Sequence, residues 1–395
     1  MNRGVYALLG AQFLSAFADN AILFTAIAMV LQQGRADDWY VPALQSAFLV
    51  AFVLLAPWVG PFADRRPKRS VLIIGNGLKA SGALLMLAGI EPIAAYALVG
   101  VGAAVYGPAK YGILPEMVGH HQLVRANGLI EGSTIVAIVA GTVVGATVAD
   151  QSLSVALMMV SLCFVLSIAV TLLIPYTDPR CTGERPGIRH FLDMMRRLFA
   201  GHRARFAMLG SSLFWASAAV LRLLLVAWAP LVLMTRSAAD IAELTLALAA
   251  GIVVGAVLVP RLIPIERLRR ARLAAYAMGW CILLFSLTES LWPARMALVA
   301  IGLCGGLFMV PVNAALQEIG HKTIGSGGAV ALQNFFENLA MLAAVGAYTL
   351  AAARGVSPVT ALVVVGVLVL IATTAVSWQL PPDPSKSPGP APPQS

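Results

Sequence analysis

The chain has 395 residues, of which 59% are hydrophobic and 11% are charged, and its formal net charge is +9. Soluble domains carry about 25% charged residues, so this composition excludes an ordinary soluble protein and predicts a polytopic membrane protein. The positive charge lies between apolar stretches, where it suits a surface facing anionic lipid, so no nucleic-acid partner is predicted.

Twelve stretches are apolar enough to cross the hydrocarbon core of a bilayer, which takes about 20 residues. Each is predicted to be an α-helix, because backbone polar groups in lipid must be satisfied within their own segment. The fold class is therefore an all-α integral membrane protein with twelve transmembrane helices. The predicted spans are 5–31, 42–62, 71–90, 93–114, 127–149, 153–175, 206–234, 241–263, 273–290, 294–316, 327–353 and 358–380.

The basic residues indicate how these spans are oriented. Twenty of the 27 Lys and Arg residues fall in the termini and in loops on the same side as the termini, and four fall in loops on the other side. Inner loops carry this excess in plasma-membrane proteins, so both termini are predicted to be cytoplasmic. The first span is predicted to be retained, because Asp19 and Asn20 interrupt it.

Two six-helix bundles are predicted, with residues 1–175 in the first and 206–380 in the second. The strings LVGVGAAVYGPAK (98–110) and LVAIGLCGGLFMVPVN (298–313) resemble each other at an offset near 200 residues. Parallel repeats of this kind are typical of transporters whose halves rock about a central site. Residues 176–205 form an inter-bundle loop, whose part HFLDMMRRLFA (190–200) predicts a surface helix. Residues 381–395 are a Pro-rich tail, predicted to be disordered.

Two G-x-x-x-G motifs allow close approach of helices. The first is formed by Gly141 and Gly145, and the second by Gly251 and Gly255. Ordinary packing within a bundle and a gate between the halves both explain them, and this choice stays open.

Six charged side chains lie inside predicted spans, more than two residues from either end. A charge at the bilayer centre costs about 2.5–3.5 kcal/mol on insertion scales, so each must face protein or water. Charges of both signs predict a polar cavity for a charged cargo. Purely structural pairing, of Asp19 with Arg222 or of Lys79 with a neighbouring acid, remains an alternative. The six residues are Asp19, Lys79, Lys110, Glu131, Arg222 and Glu337.

Polar residues accompany these charges at helical spacing. Gln12 lies on the face of Asp19, and Asn127 on that of Glu131. Asn313 occupies the position in the second half that Lys110 occupies in the first. These residues are predicted to line the same cavity.

The loop after the second span, GPFADRRPKR (60–69), resembles the G-x-x-x-D-(R/K)-x-G-(R/K)-(R/K) loop of the major facilitator superfamily. In that family the loop aspartate, here Asp64, braces the two halves when the inner side is closed. Pro67 stands where the family usually has Gly, which leaves the geometry of the loop open.

A more specific resemblance covers the chain apart from the inter-bundle loop and the tail. The strings QFLSAFADNA (12–21), NGLK (76–79), VYGPAKYG (105–112), ANGLIEGST (126–134), VPVNAALQE (310–318) and QNFFEN (333–338) resemble the bacterial lysophospholipid transporter family. The resemblance implies a flippase of the bacterial inner membrane that moves lysophosphatidylethanolamine and lysophosphatidylglycerol from the outer to the inner leaflet. A separate acyltransferase on the cytoplasmic side is the implied partner.

On this hypothesis lysine and arginine bind the headgroup phosphate and Asp19 binds its ammonium. The predicted substrate-binding residues are Gln12, Asp19, Asn20, Lys79, Lys110, Arg222 and Asn313, and the predicted gating or coupling residues are Asp64, Asn127, Glu131, Glu318 and Glu337.

Other functions remain as alternatives. A multidrug or small-solute exporter of the same superfamily would use Asp19 or Glu131 as its cation carrier. A lipid-modifying enzyme is disfavoured, since no phosphate-binding loop or nucleophile elbow is present. No cofactor is predicted. The four cysteines lie far apart without a C-x-x-C motif, so no metal site is predicted either.

Overall fold

The computed structural model describes residues 3–32, 40–176, 187–234, 238–263 and 265–378. These ranges contain fourteen α-helices and one short 3-10 helix, Ile265–Arg270. The α-helices are α1 (Arg3–Gln32), α2 (Tyr40–Asp64), α3 (Lys68–Leu87), α4 (Pro92–Gly112), α5 (Leu114–Met117), α6 (His120–Gln151), α7 (Leu153–Thr171), α8 (Ile188–Ala200), α9 (His202–Val232), α10 (Ala238–Leu262), α11 (Ala271–Phe285), α12 (Leu291–Thr323), α13 (Ser326–Ala353) and α14 (Pro358–Ser377).

Eleven spans within the described residues are long and apolar enough to cross a membrane. The predicted ninth span, 273–290, corresponds to α11, which has 15 residues and therefore rises only about 22 Å. The 3-10 helix Ile265–Arg270 runs directly into α11 and lengthens it at one end. Each of the twelve predicted spans thus contains a helix.

The helices pack as two groups, α1–α7 and α9–α14. The closest packing in the first group joins α1 to α6 and α3 to α4, and in the second it joins α10 to α12. The two groups meet where α2 and α4 contact α13, and where α6 contacts α10 and α12. We call the end that carries Arg65, Arg66, Arg125 and Lys322 the basic end.

Both G-x-x-x-G motifs pack within their own bundle. Gly141 and Gly145 bring α6 against the backbone of α1 at Phe17 and Ala21. Gly251 and Gly255 bring α10 against the backbone of α12. The motifs therefore serve packing inside each half rather than a gate between the halves.

Helix α8 confirms the predicted surface helix in the inter-bundle loop. Its buried side chains are Phe191, Met194 and Leu198, and the ring of Phe191 lies 5.3 Å from that of Phe335 on α13. Because α8 contacts α2 of one bundle and α9, α12 and α13 of the other, it lies across the basic end. The predicted loop residues 177–186 and the Pro-rich tail lie outside the described residues.

The packing of Gly251 gives a stability test. A Cβ there would meet the carbonyl oxygen of Val299 and lie 2.9 Å from the amide nitrogen of Leu303. We expect Gly251→Ala to destabilise the protein by about 1–3 kcal/mol through overpacking, measured as a lower melting temperature in detergent. Gly346→Ala on α13 is the matched control, because a Cβ there meets open space; it should leave the melting temperature unchanged or raise it. Equal melting curves for both variants would contradict the packing assignment.

Candidate functional site

Asp19 on α1 pairs with Lys79 on α3. The Lys79 ammonium lies 2.7 Å from Asp19 Oδ2 and donates a second hydrogen bond to Ser15 Oγ at 2.9 Å. It also lies over the ring of Tyr106, 4.6 Å from the centroid. The second oxygen of Asp19, Oδ1, is enclosed and accepts no hydrogen bond. Asp19, which was predicted as a possible partner of Arg222, is therefore neutralised by Lys79 inside its own bundle.

A chain of hydrogen bonds fixes this pair. Ser15 donates to Asn76 Oδ1 at 2.8 Å, and Asn76 donates to Ser167 Oγ at 2.8 Å. Ser167 in turn donates to the carbonyl oxygen of Ala11 at 2.6 Å. Since this chain joins α1, α3 and α7, the position of Lys79 is set by three helices.

Lys110 on α4 is a buried cation that pairs with no acid among the described residues. Its side chain is 8% exposed, and its ammonium lies over the ring of Tyr111, 4.0 Å from the centroid. It makes no hydrogen bond or ion pair with any residue that the structure describes, although Asp19, Glu131 and Glu337 lie within electrostatic range. A buried ammonium in this state is a candidate site for an external anion.

Two carboxylates are linked across the bundle interface. Glu131 on α6 accepts hydrogen bonds from Tyr111 at 2.7 Å and from Asn313 on α12 at 3.0 Å. Gln333 on α13 lies 2.6 Å from Asn313 Oδ1 and 2.7 Å from Glu337 Oε1.

Ser211 on α9 completes this network by donating to Glu337. In both carboxylates Oε1 accepts the hydrogen bonds, while Oε2 makes none with a described residue. Neither Oε2 is fully enclosed.

Arg222 on α9 has an exposed side chain, while its neighbours Leu221 and Leu224 are buried. Among the described residues no carboxylate lies within 4.0 Å of its guanidinium. The predicted Asp19–Arg222 pair is therefore not formed in this conformation, and Arg222 is left free for another anion.

At the basic end, Asp64 bridges the two bundles. Its carboxylate accepts hydrogen bonds from the amides of Gly327 and Gly328, both at 2.9 Å, at the start of α13. Lys68 lies 2.5 Å from the same carboxylate. The amino end of a helix carries a partial positive charge, which favours a carboxylate there. A Cβ on Gly327 would lie 2.8 Å from Asp64 Oδ1, so this contact requires glycine.

Two further contacts close the same end. The amides of Asn127 on α6 and Gln317 on α12 exchange hydrogen bonds of 2.9 and 2.8 Å. Ser326 on α13 donates to the carbonyl oxygen of Gly112 on α4 at 2.9 Å. We call these contacts, together with the Asp64 bridge, the basic-end interface. Because they join both bundles, the two halves are held together at the basic end in this conformation.

The contacts described for the remaining predicted residues stay within one bundle. Gln12 donates to Thr134 on α6 at 3.1 Å, and Asn20 donates to the carbonyl oxygen of Ala16 in its own helix at 2.8 Å. Glu318 lies 2.5 Å from Lys322 on the same helix at the basic end. Their predicted roles stay predictions. No group of His, Cys, Asp and Glu side chains in the described ranges could bind a metal ion.

Several contributing residues were missed by the sequence analysis. The carboxylate of Glu131 accepts a hydrogen bond from Tyr111, and that of Glu337 accepts one from Ser211. The amide of Asn127 pairs with that of Gln317. In each pair the sequence pattern indicated only the first residue. Tyr111 directly follows Lys110, which is the one signal that could have indicated it. The pairings themselves cross between helices and leave no pattern along the chain.

Comparison with known proteins identifies the class. The model of the major facilitator superfamily matches residues 8–345, so the chain belongs to that superfamily. This confirms the predicted all-α fold with twelve spans in two six-helix bundles. A bacterial homologue of the iron transporter ferroportin, solved in an outward-facing state, has a TM-score of 0.72 and 17% identity, over 96% of this chain and 99% of that one. That likeness concerns the fold alone.

Closer relatives define the family within this class. A lysophospholipid transporter LplT of Photorhabdus laumondii is 40% identical over 95% of both chains. A protein of the same name from Escherichia coli O1:K1 is 42% identical over 96% of both chains. The chain therefore belongs to the family of these transporters, which confirms the resemblance noted in the sequence.

The Asp64 bridge predicts how the basic end opens. In Asp64→Asn the amide replaces a carboxylate that accepts two backbone hydrogen bonds, each worth about 1.5–3 kcal/mol with a charged acceptor. We expect the closed population to fall by about tenfold or more. Spin labels are attached at Arg66→Cys and Thr323→Cys in a background without native cysteines. Electron–electron distance measurements on Asp64→Asn should then show a second, longer distance between the two labels.

Asp193→Asn is the control for this measurement. Asp193 pairs with Arg197 on the exposed face of α8 at 2.7 Å, and such exposed pairs contribute little. Its distance distribution should match that of the parent protein. An unchanged distribution in Asp64→Asn would remove Asp64 from the gate.

Proposed function

We propose that this protein transports lysophospholipids, chiefly lysophosphatidylethanolamine and lysophosphatidylglycerol, from the outer to the inner leaflet of a bacterial inner membrane. The relatives named for this activity support the substrate class, since they match nearly the whole chain. The observation that carries the proposal is Lys110, a buried cation with no partner among the described residues, beside acids that are already satisfied by other groups. A phosphate is the anion that every such lipid carries.

The orientation follows from the distribution of charge. Lys and Arg concentrate at the basic end, and this excess is typical of the cytoplasmic side. The basic-end interface is then the cytoplasmic gate, with Asp64 and Asn127 as gating residues. A cavity closed on that side accepts its cargo from the outer leaflet.

The headgroup chemistry matches the charges of the cavity. Lys110 binds phosphate as a point charge, and Arg222 binds it through its planar guanidinium. Arg222 cannot face lipid at low cost, so its exposed side chain lines the path of the headgroup. Asp19 supplies the negative group for an ammonium.

Alternating access moves the headgroup past the bilayer centre. Rocking of the two bundles opens the basic-end interface while Asp19 and Lys79, which lie in one bundle, move together. Glu131 and Glu337 lie on opposite bundles, so the network between them must rearrange during this movement. We assign them a coupling role. A separate acyltransferase on the cytoplasmic side is the proposed consumer of the product.

Reconstitution in liposomes tests the proposal. Labelled lysophosphatidylethanolamine should move between leaflets with the parent protein, and Asp19→Asn, Lys110→Ala and Arg222→Ala should each lose about 90% or more of that activity, since a buried charge contact is worth several kcal/mol. Arg354→Ala removes a charge from an exposed turn and should retain full activity.

The same assay separates the alternative function. Transport of soluble compounds driven by a cation gradient, without movement of single-chain lipids, would favour a small-solute exporter. Full activity of Arg222→Ala would remove that residue from the site.

A further inference from the structure

The ammonium of Lys79 occupies a site whose chemistry suits any primary ammonium. It contacts Asp19 Oδ2 at 2.7 Å and Ser15 Oγ at 2.9 Å. The rings of Tyr106 and Phe164 have their centroids 4.6 and 5.7 Å away, close enough for cation–π attraction. We call Ser15, Asp19, Tyr106 and Phe164 the ammonium seat.

The seat has an unused acceptor. Asp19 Oδ1 is buried and accepts no hydrogen bond from a described residue. A buried polar atom without a partner costs about 1–3 kcal/mol. Because Oδ1 is enclosed, a second ammonium cannot reach that oxygen, and the contacts with Ser15 and the two rings are open only to a group that takes the place of Lys79. An incoming ammonium has to replace it.

We infer that Lys79 is a tethered occupant of the ammonium seat, and that the ammonium of a zwitterionic headgroup displaces it during transport. The displaced Lys79 turns to the headgroup phosphate, a few bonds away from the incoming ammonium. This inference rests on the proposed function and adds to it a residue that decides how each headgroup is bound.

The exchange keeps every charge compensated. With lysophosphatidylethanolamine, Asp19 faces the lipid ammonium and Lys79 faces the lipid phosphate, so positive and negative groups alternate. With lysophosphatidylglycerol no ammonium arrives, the Asp19–Lys79 pair stays closed, and Lys110 binds the phosphate. One cavity thus accepts both a zwitterionic and an anionic headgroup, and in neither case is a charge left without a counter-charge. An isolated charge would be costly in these low-dielectric surroundings.

Lys79→Met separates the two headgroups. The variant removes the tethered ammonium and leaves Asp19 uncompensated. Lysophosphatidylethanolamine brings its own ammonium, so its transport should stay within about threefold of the parent, whereas transport of lysophosphatidylglycerol should fall at least about tenfold. The measurement is leaflet exchange of each labelled lipid in liposomes of the same composition.

Two further variants control for charge and folding. Lys79→Arg keeps the charge and should keep the parent preference between headgroups. The double variant Asp19→Asn, Lys79→Met removes both charges. It should recover lysophosphatidylglycerol transport relative to Lys79→Met and lose lysophosphatidylethanolamine transport.

Binding can be measured separately from transport. In detergent, lysophosphatidylethanolamine should raise the melting temperature of Lys79→Met more than lysophosphatidylglycerol does.

The outcomes are separable from those of the proposed function. If Lys79→Met loses both lipids equally, or if the melting temperature responds equally to both, Lys79 is only a fixed counter-ion and the exchange is wrong. If the parent protein moves neither lipid, the proposed function itself fails.

Discussion

The structure depends on the cost of a charge inside the membrane, which forces every ionised side chain to find a partner or an aqueous space. The intramembrane charges meet this constraint in different ways. Asp19 is neutralised by Lys79, while Glu131 and Glu337 are satisfied by neutral donors. Lys110 and Arg222 are left without contacts to acids among the described residues. The charges without an acidic partner among the described residues are therefore both cations, so an anion can bind either of them without first breaking an ion pair.

The same constraint explains the chemistry of the basic-end interface. Its cross-bundle contacts use backbone amides and side-chain amides, such as those of Gly327, Asn127 and Gln317. When the interface opens, water can replace each of these hydrogen bonds, because the net worth of such a bond is only about 0.5–1.5 kcal/mol between neutral groups and about 1.5–3 kcal/mol to the Asp64 carboxylate. A cross-bundle interface of buried ion pairs would be harder to reopen. The one carboxylate at this interface, Asp64, keeps Lys68 as a partner within its own bundle, so it carries its counter-ion with it.

Sequence reasoning reached most of the fold because apolar length and backbone satisfaction leave few choices in a membrane. It predicted a helix in each of the twelve spans and one at 190–200, which the structure has at Ile188–Ala200, and it selected six charges inside the spans. It did not reach the pairing, because Lys79 comes from α3 and Asp19 from α1, and the choice between Lys79 and Arg222 depends on how the helices pack. Gln317 could not be predicted for the same reason. The sequence around an amide on a buried helix face does not reveal its partner, and only the packing of the helices places Asn127 opposite Gln317.

The internal repeat shows why an unpartnered cation remains. The sequence repeat predicts that Lys110 and Asn313 occupy matching positions in the two halves; Asn127-x-x-x-Glu131 and Gln333-x-x-x-Glu337 match in the same way. Glu131 is bound to Asn313 across the interface, so the symmetric contact would join Glu337 to Lys110. That contact is not formed: Glu337 takes its hydrogen bonds from Ser211 and Gln333, and Lys110 stays within electrostatic range only. Because the second half has an asparagine where the first half has a lysine, the contact between Glu131 and Asn313 forms as a hydrogen bond to a neutral donor. Its symmetric counterpart stays open, at the place where a phosphate would bind.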